Sequence, residues 1–375
     1  MFELTDEQTM VLSALEDIAR DEFADKAFKW DGEPPWENVE LLAKQGFLGI
    51  NFDEQYGGGG MSEFEAMLTI EAVGAVCPDT AEFIYNQQMV APRAIEMFGT
   101  EDAKDQYLPA VLDGESFIAI AISEPEAGSD VGSMQTEVSD DLVLNGEKIW
   151  VSNVTHADAV VVWVKFPEGL GSVVVEFDWD GVEIQEHYTN MHGGTQSQLR
   201  FEDVDVAEEN VLTRGKDAFT EQLKALNWER LGCATLANSF ARNALEKALD
   251  YAQQREQFGQ PIGDFQGIEW KLADMLTQLE ASRMLTYRAA LNAHEQGRIP
   301  DRLETSLAKL HSTERAEHIV SESLQIHGAN GYQQGHPLEY LYRMTRGRRL
   351  AAGTDEIQKN QIAAVIKKHG LPDLV

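Results

Sequence analysis

Three stretches of this 375-residue sequence carry residues whose types and spacing suit chemistry. The segment Ala121-Ile-Ser-Glu-Pro-Glu-Ala-Gly-Ser-Asp130 leaves a β-rich run and enters a glycine-containing loop. It offers the hydroxyls of Ser123 and Ser129 and close backbone approach at Gly128, a set suited to hydrogen-bonding a planar heterocycle or a ligand tail; an N-capped turn would use the same residues. Further on, Lys148-Ile-Trp-Val-Ser-Asn153 carries the Trp150 ring and the Ser152 hydroxyl on one β-run, read as facing alternate sides of a strand. The third stretch is helical. Phe219, Leu223, Leu226, Glu229, Cys233, Ala237 and Phe240 recur at three- or four-residue spacing, which puts Glu229 on an apolar stripe. An unpaired carboxylate there is costly and its pKa tends to rise, as a general base requires, unless it sits at the edge of the stripe and pairs with a neighbour.

The elements that must position these groups fall into a helical, then β, then helical order. Glu7–Phe28, Trp36–Gln45 and Ser62–Ala75 carry helical periodicity, with the four-glycine break Gly57–Gly60 between two of them. From about Ser116 to Leu212 the texture changes to short β-branched runs such as Phe117–Ile122, Ala159–Val164 and Gly171–Phe177. Asn-Gly, Asp-Gly and Gly-Gly pairs at Asn145, Asp180 and Gly193 read as the turns between strands, which implies a small antiparallel sheet. Beyond about Lys216 long helical patterns return, interrupted at Gly259–Gly263, Gly297–Pro300 and Gly328–Gly335. The expected domains are 1–115, 116–215 and 216–375, a mainly α architecture with a central β domain.

Composition narrows the function classes. Asp and Glu number 64 against 30 Lys and Arg, for a net charge of −34. Such a surface repels nucleic acid and anionic membrane. It is also the way proteins of salt-loving organisms stay hydrated, and 14 lysines in the whole chain favour that reading. Cys77 and Cys233 are too few for a disulfide framework or a metal site, and the nine histidines include no zinc-like set. His187 and His192 read as structural. No apolar run reaches a membrane span, and the start MFELTDEQTM lacks a signal-peptide pattern, so a cytoplasmic location is expected. Gly57–Gly60 lacks the spacing of a dinucleotide-binding fingerprint.

Together, Ala121–Asp130 and Lys148–Asn153 resemble the first signature and the Trp-[Ile/Val]-[Thr/Ser]-Asn strand of the acyl-CoA dehydrogenase family, and the signature matches at every defined position. The likeness extends from Gly46-Phe-Leu-Gly49 and Gln55–Gly60 to the C-terminal region. It implies a helical N-terminal domain, a β-barrel-like middle domain and a C-terminal four-helix bundle, with FAD as cofactor. By this resemblance Ile120, Ile122, Ser123, Gly128 and Ser129 line the flavin, Ser129 also meets substrate, Trp150 shields the ring, and the Ser152 hydroxyl sits at flavin N5. Arg255-Glu-Gln-Phe258-Gly resembles the motif whose Arg binds the FAD pyrophosphate of a neighbouring subunit, helped by Phe265 and Gln266; a guanidinium fork matches phosphate oxygens. Gln325-Ile-His-Gly328-Ala329 resembles the stretch that holds the adenosine half, and Gly353-Thr354-Asp-Glu356 the loop that closes on the flavin. FAD shared across subunits implies a homo-oligomer, a tetramer built from dimers, and the usual electron acceptor is electron-transfer flavoprotein.

The chain departs from the family at one chemically decisive position. Removal of an α-proton from an acyl-CoA thioester needs a desolvated carboxylate, and most of the family places a Glu just before the closing Gly-Thr, where this chain has Ala352. Isovaleryl-CoA and long-chain acyl-CoA dehydrogenases instead carry the base on a helix immediately before an Arg, as in Glu229-Arg230-Leu231. The resemblance therefore assigns the base to Glu229, with Asn227 and Arg230 near the thioester, the Ala352 N–H at its carbonyl and Gly353 beside it. Small Ala351 and Ala352 imply room for a branched or bulky acyl group. Val154-Thr155 and Gln135 also depart from common family residues, and Arg343, Arg346, Arg348 and Arg349 form a basic run open to phosphate contacts or ion pairs. The alternatives are a relative with other acyl-CoA chemistry, such as a desulfinase, and a non-catalytic flavoprotein.

Overall fold

A computed structural model describes residues 4–30, 32–295 and 299–372. The interruption expected at Gly297 falls outside the described residues, whereas those at Gly259–Gly263 and Gly328–Gly335 are observed as breaks between helices. The helices are α1 (Asp6–Ile18), α2 (Trp36–Lys44), α3 (Glu63–Gly74), α4 (Pro78–Met89), α5 (Ala91–Phe98) and α6 (Glu101–Leu112), then α7 (Ala218–Gln254), α8 (Gln266–Glu295), α9 (Arg302–His327), α10 (Pro337–Arg348) and α11 (Asp355–His369). Between α6 and α7 lie β1 (Ile118–Ala121), β2 (Glu137–Val138), β3 (Val143–Ser152), β4 (Ala159–Phe166), β5 (Gly169–Glu176), β6 (Val182–Thr189), β7 (Thr195–Asp205) and β8 (Val211–Thr213); β9 (Glu256–Gln257) and β10 (Gln260–Pro261) form a small hairpin after α7. The mainly α class with a central sheet is as expected. Contacts divide the chain into a sheet unit, residues 31–66 and 83–229, and a bundle unit, residues 1–30, 67–82 and 230–375, the division falling inside α3, α4 and α7.

In the sheet unit the strand order is β6-β7-β3-β2-β4-β5-β8, with β1 also on β4. The β-branched run of β4 is buried along nearly its whole length, with neighbouring strands on both edges. Ile95 of α5, Leu108 and Val111 of α6, and Ile118, Val161 and Val174 of the sheet share one core cluster. The sheet is mainly antiparallel, as expected, with the exception that β1 and β2 both run parallel to β4. It corrects one turn. Asp180-Gly181 and Gly193 do lie between strands, but Asn145-Gly146 sits inside β3, opposite β7. The β2–β3 turn is Ser139–Leu142 instead, closed by a hydrogen bond from the Leu142 N–H to the Ser139 carbonyl and by Leu142 in a left-handed conformation. Gly146 marks a register shift at φ 146°, where a Cβ would stand 2.5 Å from the Thr136 Cα.

In the bundle unit, α7 presents Ala237, Ala241, Ala248 and Ala252 to Met275 and Leu279 of α8 and to Ala316 and Ile319 of α9. Small side chains let these long helices approach closely, and α9 also packs on α10 and α11. Among the described residues no helix is long and apolar enough to cross a membrane. Cys77 and Cys233 are buried and in no disulfide; the Cys77 thiol lies 3.1 Å from the Thr80 hydroxyl and the Cys233 thiol donates to the Arg348 carbonyl at 3.7 Å.

If Gly146 is a point of close backbone approach, Gly146→Ala should destabilise the protein by about 2 kcal/mol or more through φ strain and overpacking. Denaturant unfolding tests this, and a change within about 0.5 kcal/mol, the value of an ordinary exposed turn site, would contradict the placement.

Candidate functional site

The loop after β1 is built around Glu124. Its carboxylate accepts from the Gln135 N–H at 2.6 Å, the Thr136 N–H at 2.9 Å and the Lys148 ammonium at 2.9 Å. Lys148 is fully buried and also donates to the Ile122 carbonyl at 3.0 Å. Burial acts to raise the Glu124 carboxyl, but the hydrogen bonds from Thr136, Gln135 and Lys148 outweigh it and hold the group below its ordinary value. This clamp leaves Ile120, Ile122 and Ser123 half-buried, with Gly128 and Ser129 exposed. The Ile149 N–H donates to the Ser123 carbonyl at 2.9 Å, tying the loop to β3.

Just past that tie, Trp150 has a left-handed backbone at φ 63° beside a register shift, and its ring is 51% exposed. Ser152 is exposed as well. The two side chains share a face, as the two-residue strand period demands, which corrects the expectation of opposite sides. Gln196 joins them, its amide within 3.4 Å of both the Trp150 carbonyl and the Ser152 hydroxyl, and the Tyr188 ring packs 4.9 Å from the indole. Neither Tyr188 nor Gln196 was legible from local pattern, because only strand register sets them beside β3. His187 bonds the Ser197 hydroxyl, consistent with a structural role, and the His192 N–H caps onto the Asn190 side chain.

The first turns of α7 pack Phe219, Leu223 and Leu226 against Trp163, Ala127 and Met134. The neighbouring side of the same helix lines a pocket with about 340 Å³ of non-atom space, open mouth included, whose walls include Val90, Ala94, Phe98, Ile120, Val161 and Glu229. Glu229 is half-buried there, and Asn227 is buried on the same turn.

The bundle unit carries the remaining candidates. The Arg230 guanidinium, buried one residue after Glu229, donates to the Ala352 carbonyl at 3.1 Å. Ala352 and Gly353 are both left-handed, at φ 55° and 90°. Gln358 and Lys309 donate to the Gly353 carbonyl at 3.0 and 2.9 Å. Thr354 caps α11, and Glu356 follows, exposed, in its first turn. At another end of the unit, Arg255, Phe258 and Gln266 are exposed and Phe265 is half-buried, with the Phe258 and Phe265 rings edge to face at 6.1 Å. Tyr251 connects this region to Gln325, Gly328 and Ala329, which are exposed at the end of α9: its ring stacks on His327 at 4.2 Å and its hydroxyl accepts from Asn330. The basic run is engaged in ion pairs within the unit, Arg343 with Glu339, Arg346 with Glu317, Arg348 with Glu82, and Arg349 with Glu317 and Asp355. Among the described residues no His, Cys, Asp and Glu group is arranged to hold a metal.

The residues fit a flavin nucleotide. A half-exposed indole on a strained backbone beside free-facing hydroxyls suits a planar ring, and an exposed guanidinium flanked by an almost wholly exposed Phe258 suits a phosphate and its attached heterocycle. The sheet unit supplies an exposed indole and an apolar pocket with a carboxylate in its wall, and the bundle unit by itself supplies the exposed guanidinium, features that a flavin enzyme handling acyl chains requires. The chain matches the acyl-CoA dehydrogenase N-terminal domain over residues 5–115, the middle domain over 119–204 and the C-terminal domain over 218–367. It is 34% identical to a probable acyl-CoA dehydrogenase of Bacillus subtilis, over 98% of this chain and 100% of that one. It is equally 34% identical to a 3-sulfinopropanoyl-CoA desulfinase of Paraburkholderia xenovorans, over 98% and 97%. The solved butyryl-CoA dehydrogenase of Megasphaera elsdenii superposes with a TM-score of 0.91 at 30% identity, covering 98% of this chain and 100% of that one. The chain belongs to the acyl-CoA dehydrogenase family: it is an oxidoreductase acting on acyl-CoA, with FAD as its cofactor.

Glu124→Gln should cost about 3 kcal/mol or more, because it leaves the Lys148 ammonium buried without a counter-charge. Since the folded carboxyl lies below its ordinary 4.5, the clamp contributes fully above that pH and is lost as pH falls through the depressed value. Denaturant unfolding from pH 7 downwards should show the gap between wild type and variant closing in acid; a constant gap would mean the clamp is not ionic.

Proposed function

We propose that this enzyme catalyses α,β-dehydrogenation of an acyl-CoA to the trans-2-enoyl-CoA, with Glu229 as the base. The observation that carries the reading is the position of Glu229 in the wall of an otherwise largely apolar pocket that also reaches Ile120 of the signature loop. FAD, when bound, supplies the hydride acceptor. The Glu229 carboxylate takes the α-proton, and pocket walls of Val90, Ala94 and Phe98 exclude water from it. The backbone N–H of Ala352 is assigned to the thioester carbonyl, a role that survives loss of the family's usual Glu because it needs no side chain. Arg230, Gln358 and Lys309 support it by holding the carbonyls of that loop.

The remaining assignments belong to the same proposal. Ser123, Ser129, Trp150 and Ser152 meet the flavin ring, Arg255, Phe258, Phe265 and Gln266 the pyrophosphate of a neighbouring subunit, and Gln325, Gly328 and Ala329 the adenosine half. Thr354 and Glu356 close the flavin site. The same proposal includes a homotetramer, in which FAD is shared between subunits, and electron-transfer flavoprotein as acceptor, supported by the likeness to the acyl-CoA dehydrogenase family. Desulfination is the second reading, favoured by the equal identity to a desulfinase and by Ala352.

Glu229→Gln should keep FAD and lose about 10³-fold or more of the rate of anaerobic flavin reduction by acyl-CoA. A variant that is reduced as fast as wild type would end the assignment. Wild type that no saturated thioester reduces, yet that liberates sulfite from a sulfinyl-substituted acyl-CoA, would move the reaction to the second reading.

A further inference from the structure

The pocket that holds Glu229 contains a polar group that the dehydrogenation chemistry does not use. Gln222 lies two helical turns before Glu229 on α7, lines the same pocket, and is 3% exposed. Among the described residues neither the oxygen nor the nitrogen of its carboxamide has a hydrogen-bond partner. A buried amide that forgoes both its donor and its acceptor bonds is costly, and native interiors rarely leave one without a reason. Of the other polar groups in the wall, the Ser172 hydroxyl already pairs with the Thr213 hydroxyl at 3.0 Å, and the Trp163 indole can only donate. Gln222 thus brings to this pocket both a donor and an acceptor left unspent.

We infer that Gln222 selects acyl chains bearing a neutral hydrogen-bonding substituent, a hydroxyl, ketone or amide, on the distal part of the chain. The inference rests on the reading of this pocket as the acyl site. Seven residues at a rise of about 1.5 Å separate the two side chains by about 10 Å along the helix axis, so the selected group lies several carbons beyond the bond that is oxidised. A carboxamide offers one acceptor and two donors, which suits an alcohol or a carbonyl. An anionic substituent would call for a guanidinium or ammonium partner, and none of the residues lining the pocket is cationic. The pocket thus favours a neutral polar chain over both a plain alkyl chain and a dicarboxylic or sulfinyl one.

The test is a panel of length-matched CoA thioesters: hexanoyl and octanoyl, their terminally hydroxylated and keto forms, and the dicarboxylic analogues. Reduction of the FAD-loaded enzyme is followed anaerobically, and dissociation constants are measured calorimetrically on Glu229→Gln, which does not turn over. Wild type should favour a hydroxylated or keto chain over its plain counterpart by about tenfold or more, the scale of one buried hydrogen bond. Gln222→Leu should abolish that preference and tighten binding of the plain chains. Equal handling of plain and polar chains by wild type, or preference for the dicarboxylic ones, would overturn the inference, and this holds even if Gln222→Leu fails to fold. Failure of the dehydrogenation reading looks different: no thioester reduces the flavin, while the calorimetric preference still reports on Gln222.

Discussion

An ammonium group inside a protein is tolerable only where its charge is answered, and the sheet unit is arranged around one such group. Lys148 is fully buried on β3, a strand that would otherwise read as an ordinary half-buried run. Its partner Glu124 belongs to a loop whose Ala127 and Met134 are packed into a small apolar cluster, and three donors hold that carboxylate in place. Moving either charge from water costs several kcal/mol, so loop and strand cannot separate without exposing both or stranding one. The consequences follow along the chain. Ser123 adjoins the clamped carboxylate, and Trp150 follows Ile149, whose N–H is bonded to the Ser123 carbonyl. The exposed indole face and its neighbouring hydroxyls are thus a surface product of a buried ion pair.

Helix α7 imposes the second constraint. Consecutive helical residues point about 100° apart, so Glu229 and Arg230 cannot serve the same neighbour. Glu229 faces the pocket while Arg230 reaches the carbonyl of Ala352. This explains how the loop at Ala352 can do without the family's usual carboxylate. The loop is held through its carbonyls, by Arg230, Gln358 and Lys309, and its left-handed residues turn the backbone rather than present a side chain. With the loop secured by main-chain bonds, its geometry needs no carboxylate at Ala352, and the carboxylate on α7 stands in apolar surroundings that raise the proton affinity of such a group.

Much of this was legible in the residues because the informative signals were local. The Ser- and Gly-bearing loop, the β-branched texture of β4 and the stripe containing Glu229 are patterns within single elements. What was misread or missed depends on partners distant in sequence. Asn145-Gly146 has the composition of a hairpin turn, yet Gly146 is needed because the Thr136 backbone crosses where a Cβ would be. The parallel pairing of β1 and β2 with β4 leaves no trace in strand composition. Gln196 and Tyr188 come to Trp150 only through the register of β6 and β7. Gln222 falls at stripe spacing between Phe219 and Leu226, where a polar residue reads as an interruption, and only the shape of the pocket shows that its amide is enclosed.

The extreme charge takes on a different meaning once the cations are located. Of the few basic residues, Lys148 and Lys309 are fully buried, and Arg93, Arg283, Arg348 and Arg349 are committed to carboxylates within their own units. The basic side chains are thus drawn into internal pairs, and much of the uncompensated negative charge is left on the outside. Salt acts unequally on these two populations. It screens repulsion among exposed carboxylates beyond about 10 Å at 0.1 M and over shorter distances at higher concentration, while buried pairs are screened far less. Concentrated salt therefore relieves the main electrostatic penalty of the folded chain without loosening the ion pairs that hold the site loops. The charges that hold the Glu124 loop and those exposed on the surface are physically separate, so salt can act on the second without acting on the first.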